Sequence, residues 1–383
     1  MRQVYLQQIE AQDTNLAGAD LVESLVTDAF NFTRSVAISP DGAYLGAGTS
    51  NGEVRLWRAS DRTPLLAVHA HTSMVFGLAI SSTGLLASGG ADAAIRLWRV
   101  SDGSDAGSLV GHTGMVYSLA FRADGDELLS AGLDGCVRIW NVRSGDCHAV
   151  LQSDEPAKLA VALDADGRVA VSGAIDGTLA VWDLVHLTLL SKVNGHASAV
   201  RGVALSASGS IFASAGDDGH LRIWDVSTNT LMADCDAGDG GIFQVAISRD
   251  ERLCVSGASN GTVRVWETTT GQCIATLSEH SNIVFSVGLT SDGRTAVSGG
   301  LDGTIRLWNV GTGRCTATVH SYMGGIRSIS LSADGERFVT GSVDGTVRVW
   351  ATRSGLLETS GLPSRDTDPC KCGQCRPLNA LPV

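Results

Sequence analysis

Eight tryptophans set the frame. Trp57, Trp98, Trp140, Trp182, Trp224, Trp266, Trp308 and Trp350 are the only ones in the 383-residue chain, and they stand 41 residues apart once and 42 apart six times. A fixed period in that range marks an array of one supersecondary unit, which overrides the two or three unrelated domains that length alone suggests. The surroundings repeat as well. Asp or Asn stands six residues before every Trp, as Asn51, Asp92, Asp134, Asp176, Asp218, Asn260, Asp302 and Asp344. Gly follows in seven of the eight, the exception being Ala93. Asx-Gly between apolar runs signals a hairpin, because both residues tolerate positive φ.

Each unit reads as four short strands. Around Trp140, MVYSLAF is the first, LLSAG the second, CVRIW the third after the DG turn, and CHAVL the fourth. Short alternating runs bounded by Gly-rich turns predict antiparallel β-structure. Such units bury their apolar faces only against each other, so the array closes radially. The expected fold is all-β, an eight-bladed β-propeller of four-stranded antiparallel blades.

The units ending IRLWNV, LRIWDV and LAVWDL resemble the WD-repeat (WD40) propellers, and the resemblance runs over roughly residues 22–360. It implies a hydrogen-bonded set of His, Ser or Thr, Asp and Trp in each unit. Ser or Thr stands ten residues before Trp in seven units (Ser88, Ser130, Ser172, Ser214, Ser256, Ser298, Thr340), with Ala47 in the first. The His position holds His71, His112, His196 and His280, and elsewhere Ala29, Asp154, Gly238 and Tyr322. The second, third, fifth and seventh units therefore carry the full set. Ser, His and Asp together resemble a hydrolase triad. Recurrence at the same offsets in several units assigns them to the scaffold instead, since a catalytic site is not replicated around a ring. Arg stands two residues before Trp in every unit but the fourth, which has Ala180. It is read as a stem packed along the blade with its head on a carboxylate, rather than as an anion-binding ring.

The chain ends carry their own expectations. Residues 1–21 form an N-terminal cover or a short pentapeptide-repeat-like stretch, with Leu6, Ala11, Leu16, Leu21 and Val26 five apart. The propeller spans 22–360. Its closing strand is offered by two segments, Val22–Val26 and Leu356–Thr359, of which the first is the more apolar. The tail, 361–383, is expected to be disordered. Its Cys370, Cys372 and Cys375 fall one ligand short of a closed structural zinc site, and no metal or other cofactor is expected.

Composition limits the function. The charge is −12, and only Lys158, Lys192 and Lys371 are lysines. That argues against a sequence-blind nucleic-acid binder or a polybasic membrane patch. No apolar run approaches a membrane span, and the N-terminus lacks the apolar core of a secretory signal. Nine cysteines scattered through a long chain fit a reducing compartment, so a cytoplasmic location is expected. No phosphate-cradling loop, zinc-protease helix or nucleophile elbow is present. A non-enzymatic chain is expected.

Function then falls to the rims. The resemblance implies that residues leading into each first strand, and the residue before each Asx turn, line the narrow top face and meet partners. The first group includes Phe32, Arg34, Met74, Phe76, Met115, Tyr117, Leu159, Arg201, Phe243, Ile283, Phe285 and Arg327, and the second Leu133, Ile175, Leu301 and Val343. Aromatic, Met and Arg side chains are the types enriched at interface cores. The expectation is a monomeric interaction scaffold, a sensor or adaptor in signalling. Its top face takes a protein or peptide that is acidic or phosphorylated and carries apolar anchors. The alternative is an enzyme or small-ligand binder using the central channel, against which such off-motif histidines as His69, His186, His220 and His320 lie scattered.

Overall fold

The computed structural model describes residues 32–152, 157–238, 240–320 and 324–352. Among these residues the chain forms strands and no helix. Blade 1 consists of β1 (Thr33–Ile38), β2 (Tyr44–Thr49), β3 (Glu53–Arg58) and β4 (Pro64–His69), paired antiparallel in chain order. Six further blades repeat this order, and blade 8 shows three strands, Ile326–Leu331, Arg337–Ser342 and Val347–Ala351. The expected eight-bladed propeller is the observed one. Both candidate closing segments, the 1–21 stretch and the cysteine tail lie outside the described residues.

The burial pattern explains the architecture. In β3, Val54 and Leu56 are buried while Glu53 and Arg55 are partly wet, the alternation of a strand with one apolar face. The second strands are buried throughout most of their length on both faces, as a blade sandwiched between neighbours must be. No blade has a core of its own. Val54 and Leu56 of blade 1 pack with Leu86 and Trp98 of blade 2. Ala87, Ile95 and Leu97 of blade 2 pack with Leu128 and Trp140 of blade 3. Each Trp therefore closes the gap to the preceding blade. The junction of blade 8 with blade 1 has the same form, with Val339, Val347 and Val349 against Leu45 and Trp57. Fully burying one such aliphatic side chain is worth about 1.5–3 kcal/mol, which makes these shared cores the main force holding the ring.

Close approach sets the spacing near the axis. A Cβ on Gly299 would lie 2.4 Å from Ile326 of the next blade, and one on Gly341 would lie 2.5 Å from Thr33. Glycine at that register lets the inner strands approach, and the second case shows the ring shut by the same contact as its internal joints. Side chains stitch the channel wall: the Ser328 hydroxyl accepts from the Val36 amide at 3.2 Å, and Ser286 accepts from the Ile329 amide at 3.0 Å.

Candidate partner-binding face

Every blade ties the loop before its first strand to its Asx turn. The amide of Ser50 donates to the carbonyl of Phe32 at 2.8 Å, that of Leu133 to Met115 at 2.8 Å, and that of Val343 to Gly325 at 2.8 Å. The same bond recurs in all eight blades. The two groups of residues singled out in the sequence are thus joined, blade by blade, into one rim.

The buried polar sets buttress that rim. In blade 3 the Trp140 indole N–H donates to the Ser130 hydroxyl at 2.8 Å, and that hydroxyl lies 2.7 Å from His112 Nε2. His112 Nδ1 meets Asp134 at 2.9 Å, and Asp134 also accepts the Thr113 amide at 3.1 Å. The carboxylate therefore holds the loop that carries Met115. Blades 5 and 7 repeat the set through Ser214, His196 and Asp218, and through Ser298, His280 and Asp302. Burial pushes the imidazoles of His71, His112 and His196 below their usual value, against the pull of their Asp partners. Burial would raise the carboxyl of Asp218. Hydrogen bonds from His196, the Ala197 amide and Arg222 outweigh it and hold this group well below the usual carboxylate range. Ser130, Ser214 and Ser298 are wholly enclosed, so no substrate can reach the hydroxyls and the triad stays structural.

Two departures were not legible in the repeat. In blade 2, His71 bonds Asp92 at 2.8 Å and Ser88 at 2.9 Å, but the buried Trp98 Nε1 has no hydrogen-bond partner. The expected four-membered set is three-membered there. In blade 4, Lys158 is fully buried at a position where the other blades place Val, Ile or Thr, and burial lowers its amine to about 8. The only signal for it was a charged residue at an apolar register.

The arginines before Trp act as stems with occupied heads. Arg55 pairs with Glu53 at 2.6 Å, Arg96 with Asp92 at 3.1 Å and Arg222 with Asp218 at 2.9 Å. Arg306 pairs with Glu279, while Arg264 donates to the Ala237 carbonyl. Of the off-motif histidines, His186 pairs with Asp183 and His220 with Asp234, each on a blade surface. Among the described residues no three His, Cys, Asp or Glu side chains gather as a metal site.

The predicted site residues separate into two circles. Arg34, Phe76, Tyr117, Leu159, Arg201, Phe243, Phe285 and Arg327, one from each blade, line a cavity of about 370 Å³ at the channel. Outside them, Phe32, Met74, Met115, Ile175 and Leu301 are exposed, and Leu133, Ile283 and Val343 are half-buried. The inner circle is held by ring contacts. Phe76 and Tyr117 stack at 4.3 Å, and Phe243 meets Phe285 edge-on at 5.3 Å. Arg201 is already paired, because Asp217 holds it through both oxygens, Oδ2 at 2.6 Å and Oδ1 at 2.9 Å.

A family model described as WD domain, G-beta repeat matches eight stretches: 29–58, 62–99, 103–141, 145–183, 187–225, 229–267, 271–309 and 313–351. From the second onward, each stretch holds the outer strand of one blade and three strands of the next. Among solved structures, the crystal structure of the computationally designed Ika8 protein aligns with a TM-score of 0.74 at 27% identity, covering 86% of this chain and 99% of that one. No curated protein gives a significant match.

Proposed function

Because the chain belongs to the WD-repeat family, whose propellers commonly serve as protein-interaction scaffolds, we propose that it is a non-catalytic scaffold holding a protein or peptide on its loop rim. One observation carries this reading. The rim exposes Phe32, Met74, Met115, Ile175 and Leu301 around an aromatic-lined depression. Large apolar side chains around a concave centre are costly to leave wet and match the anchors of interfaces. The inner circle adds Arg34 and Arg327, so an acidic segment with apolar anchors fits the face despite the overall charge of −12. The proposed setting is a single ring acting as a sensor or adaptor in a cytoplasmic pathway.

A second surface offers a competing reading. The outer strands of blades 4 and 5 expose Leu189, Leu190, Leu231 and Met232, with Val185 and Leu187 on the adjoining turn. The two are separated by affinity capture with the wild type, a Phe76→Ala/Tyr117→Ala/Arg327→Glu rim variant and a Leu190→Ser/Leu231→Ser side variant. Loss of captured partners with the rim variant and their retention with the side variant is expected. An unchanged partner set with the rim variant removes the top-face reading.

A further inference from the structure

The order of residues around the channel mouth creates a charge that nothing described offsets. Arg327 of blade 8 and Arg34 of blade 1 are neighbours at the ring's closure. The Arg327 guanidinium lies 3.9 Å from the ring centre of Phe285, on blade 7, and that of Arg34 lies 5.0 Å from the ring centre of Phe76, on blade 2. Each cation thus rests on the ring of its other neighbour, and both line the same cavity. A guanidinium lying on a ring face is stabilised through its π surface and keeps its in-plane N–H groups for another acceptor. No described carboxylate pairs with either one; Arg34 senses the Tyr117 phenol and Arg201, and Arg327 senses Arg34 and Arg201. Burial, then repulsion from Arg34 and Arg201, lowers Arg327 to about 10, so it is still charged at neutral pH. With Arg201 paired to Asp217, Arg34 and Arg327 are two positive charges that face the cavity without a counterion among the described residues.

We propose that the channel mouth is a phosphate-monoester site, where Arg34 and Arg327 together grip one phosphoryl group carried on a side chain of the bound peptide. The proposal deepens the top-face reading and rests on it. A phosphate monoester brings a charge of about −2 and three acceptor oxygens, enough for two guanidinium forks, whereas one carboxylate fills a single fork. The Phe76–Tyr117 stack and Phe285 flank the arginines, giving apolar contact to the carrier side chain that a free ion cannot use.

The test titrates the full chain calorimetrically with four probes: N-acetyl phosphotyrosine amide, N-acetyl phosphoserine amide, N-acetyl tyrosine amide and inorganic phosphate. A phosphoamino-acid amide is expected to bind at least about tenfold tighter than tyrosine amide and inorganic phosphate, and more weakly as salt rises. Arg34→Gln and Arg327→Gln each cost about tenfold, and the double variant shows no preference for phosphate. Without probe, the same variants melt cooperatively near the wild-type temperature, because each loses a ring-face contact along with a repulsive charge; this checks that they fold. Equal binding of phosphorylated and unphosphorylated probes, or a preference that survives the double variant, overturns the site. Inorganic phosphate binding as tightly as the amides overturns the side-chain source in favour of a free anion. If the rim variant loses its partners while the double Gln variant keeps them, this site fails and the top-face reading stands.

Discussion

Ser130 accepts from an indole and donates to an imidazole that is itself fixed by a carboxylate, so one hydroxyl organises a whole blade edge. Buried polar groups survive only when mutually satisfied, and here that satisfaction extends to the rim loop. The same chemistry makes stability respond to acid. His71, His112 and His196 have folded values below the ordinary 6.5, so the unfolded chain takes up their protons first. Their contribution is present above pH 6.5 and is lost as pH falls beneath it. Asp92, Asp134, Asp218 and Asp302, all depressed from 3.8, add a further loss only at stronger acidity. Melting temperature measured from pH 8 to pH 5 should hold level and then decline below about 6.5; a flat profile to pH 5 would refute this. At this scale sequence reading reached the repeated donors and acceptors, since identity and spacing state them. It did not reach the unpartnered Trp98 or the buried Lys158, whose environments depend on neighbouring blades rather than on their own repeat.

Turns carry the element scale, and one of them breaks its own rule. Seven units put Gly after the Asx, and the second puts Ala93, held at φ 63°. A left-handed alanine costs about 1–2 kcal/mol, while glycine gives back about 0.4–1 kcal/mol through the unfolded chain. Ala93→Gly should therefore stabilise the protein by about 0.5–1 kcal/mol, read as a rise in thermal midpoint. The reverse change at Gly52 should be severe. Its φ is +88° and an added Cβ would lie 1.9 Å from the His71 carbonyl oxygen. A fall for Ala93→Gly, or tolerance of Gly52→Ala, would contradict the turn geometry. Strand boundaries were legible to within a residue or two: the run CHAVL sits in the observed strand Cys147–Gln152, and LLSAG in Glu127–Gly132. The division of the rim residues into an inner and an outer circle was not. Two residues apart on a strand means the same face, but Phe32 and Met74 precede their strands, and the pairing register breaks at Arg34 and Phe76.

At the scale of the molecule, closure is the property that distinguishes a ring from an open array. Val339 at the blade 8–blade 1 junction and Val255 at the blade 6–blade 7 junction occupy equivalent, fully buried positions. In a closed ring Val339→Ala and Val255→Ala leave similar cavities and lower the melting temperature comparably, each costing about 1–3 kcal/mol. A negligible effect at Val339 alone would mean that this junction does not hold in solution. Number and order of blades followed from the tryptophan grid, whereas the seam's contacts could not, because they join residues from opposite ends of the chain.

The offset between repeat and blade has a last consequence. From the second onward, each repeat spans two blades, finishing one and beginning the next. Duplicating or losing one 42-residue length by unequal recombination would hand every remaining blade a complete set of strands, since the cut ends already match. Ring size can change in a single genetic step without passing through a broken blade, while the channel mouth gains or loses one lining residue at a time.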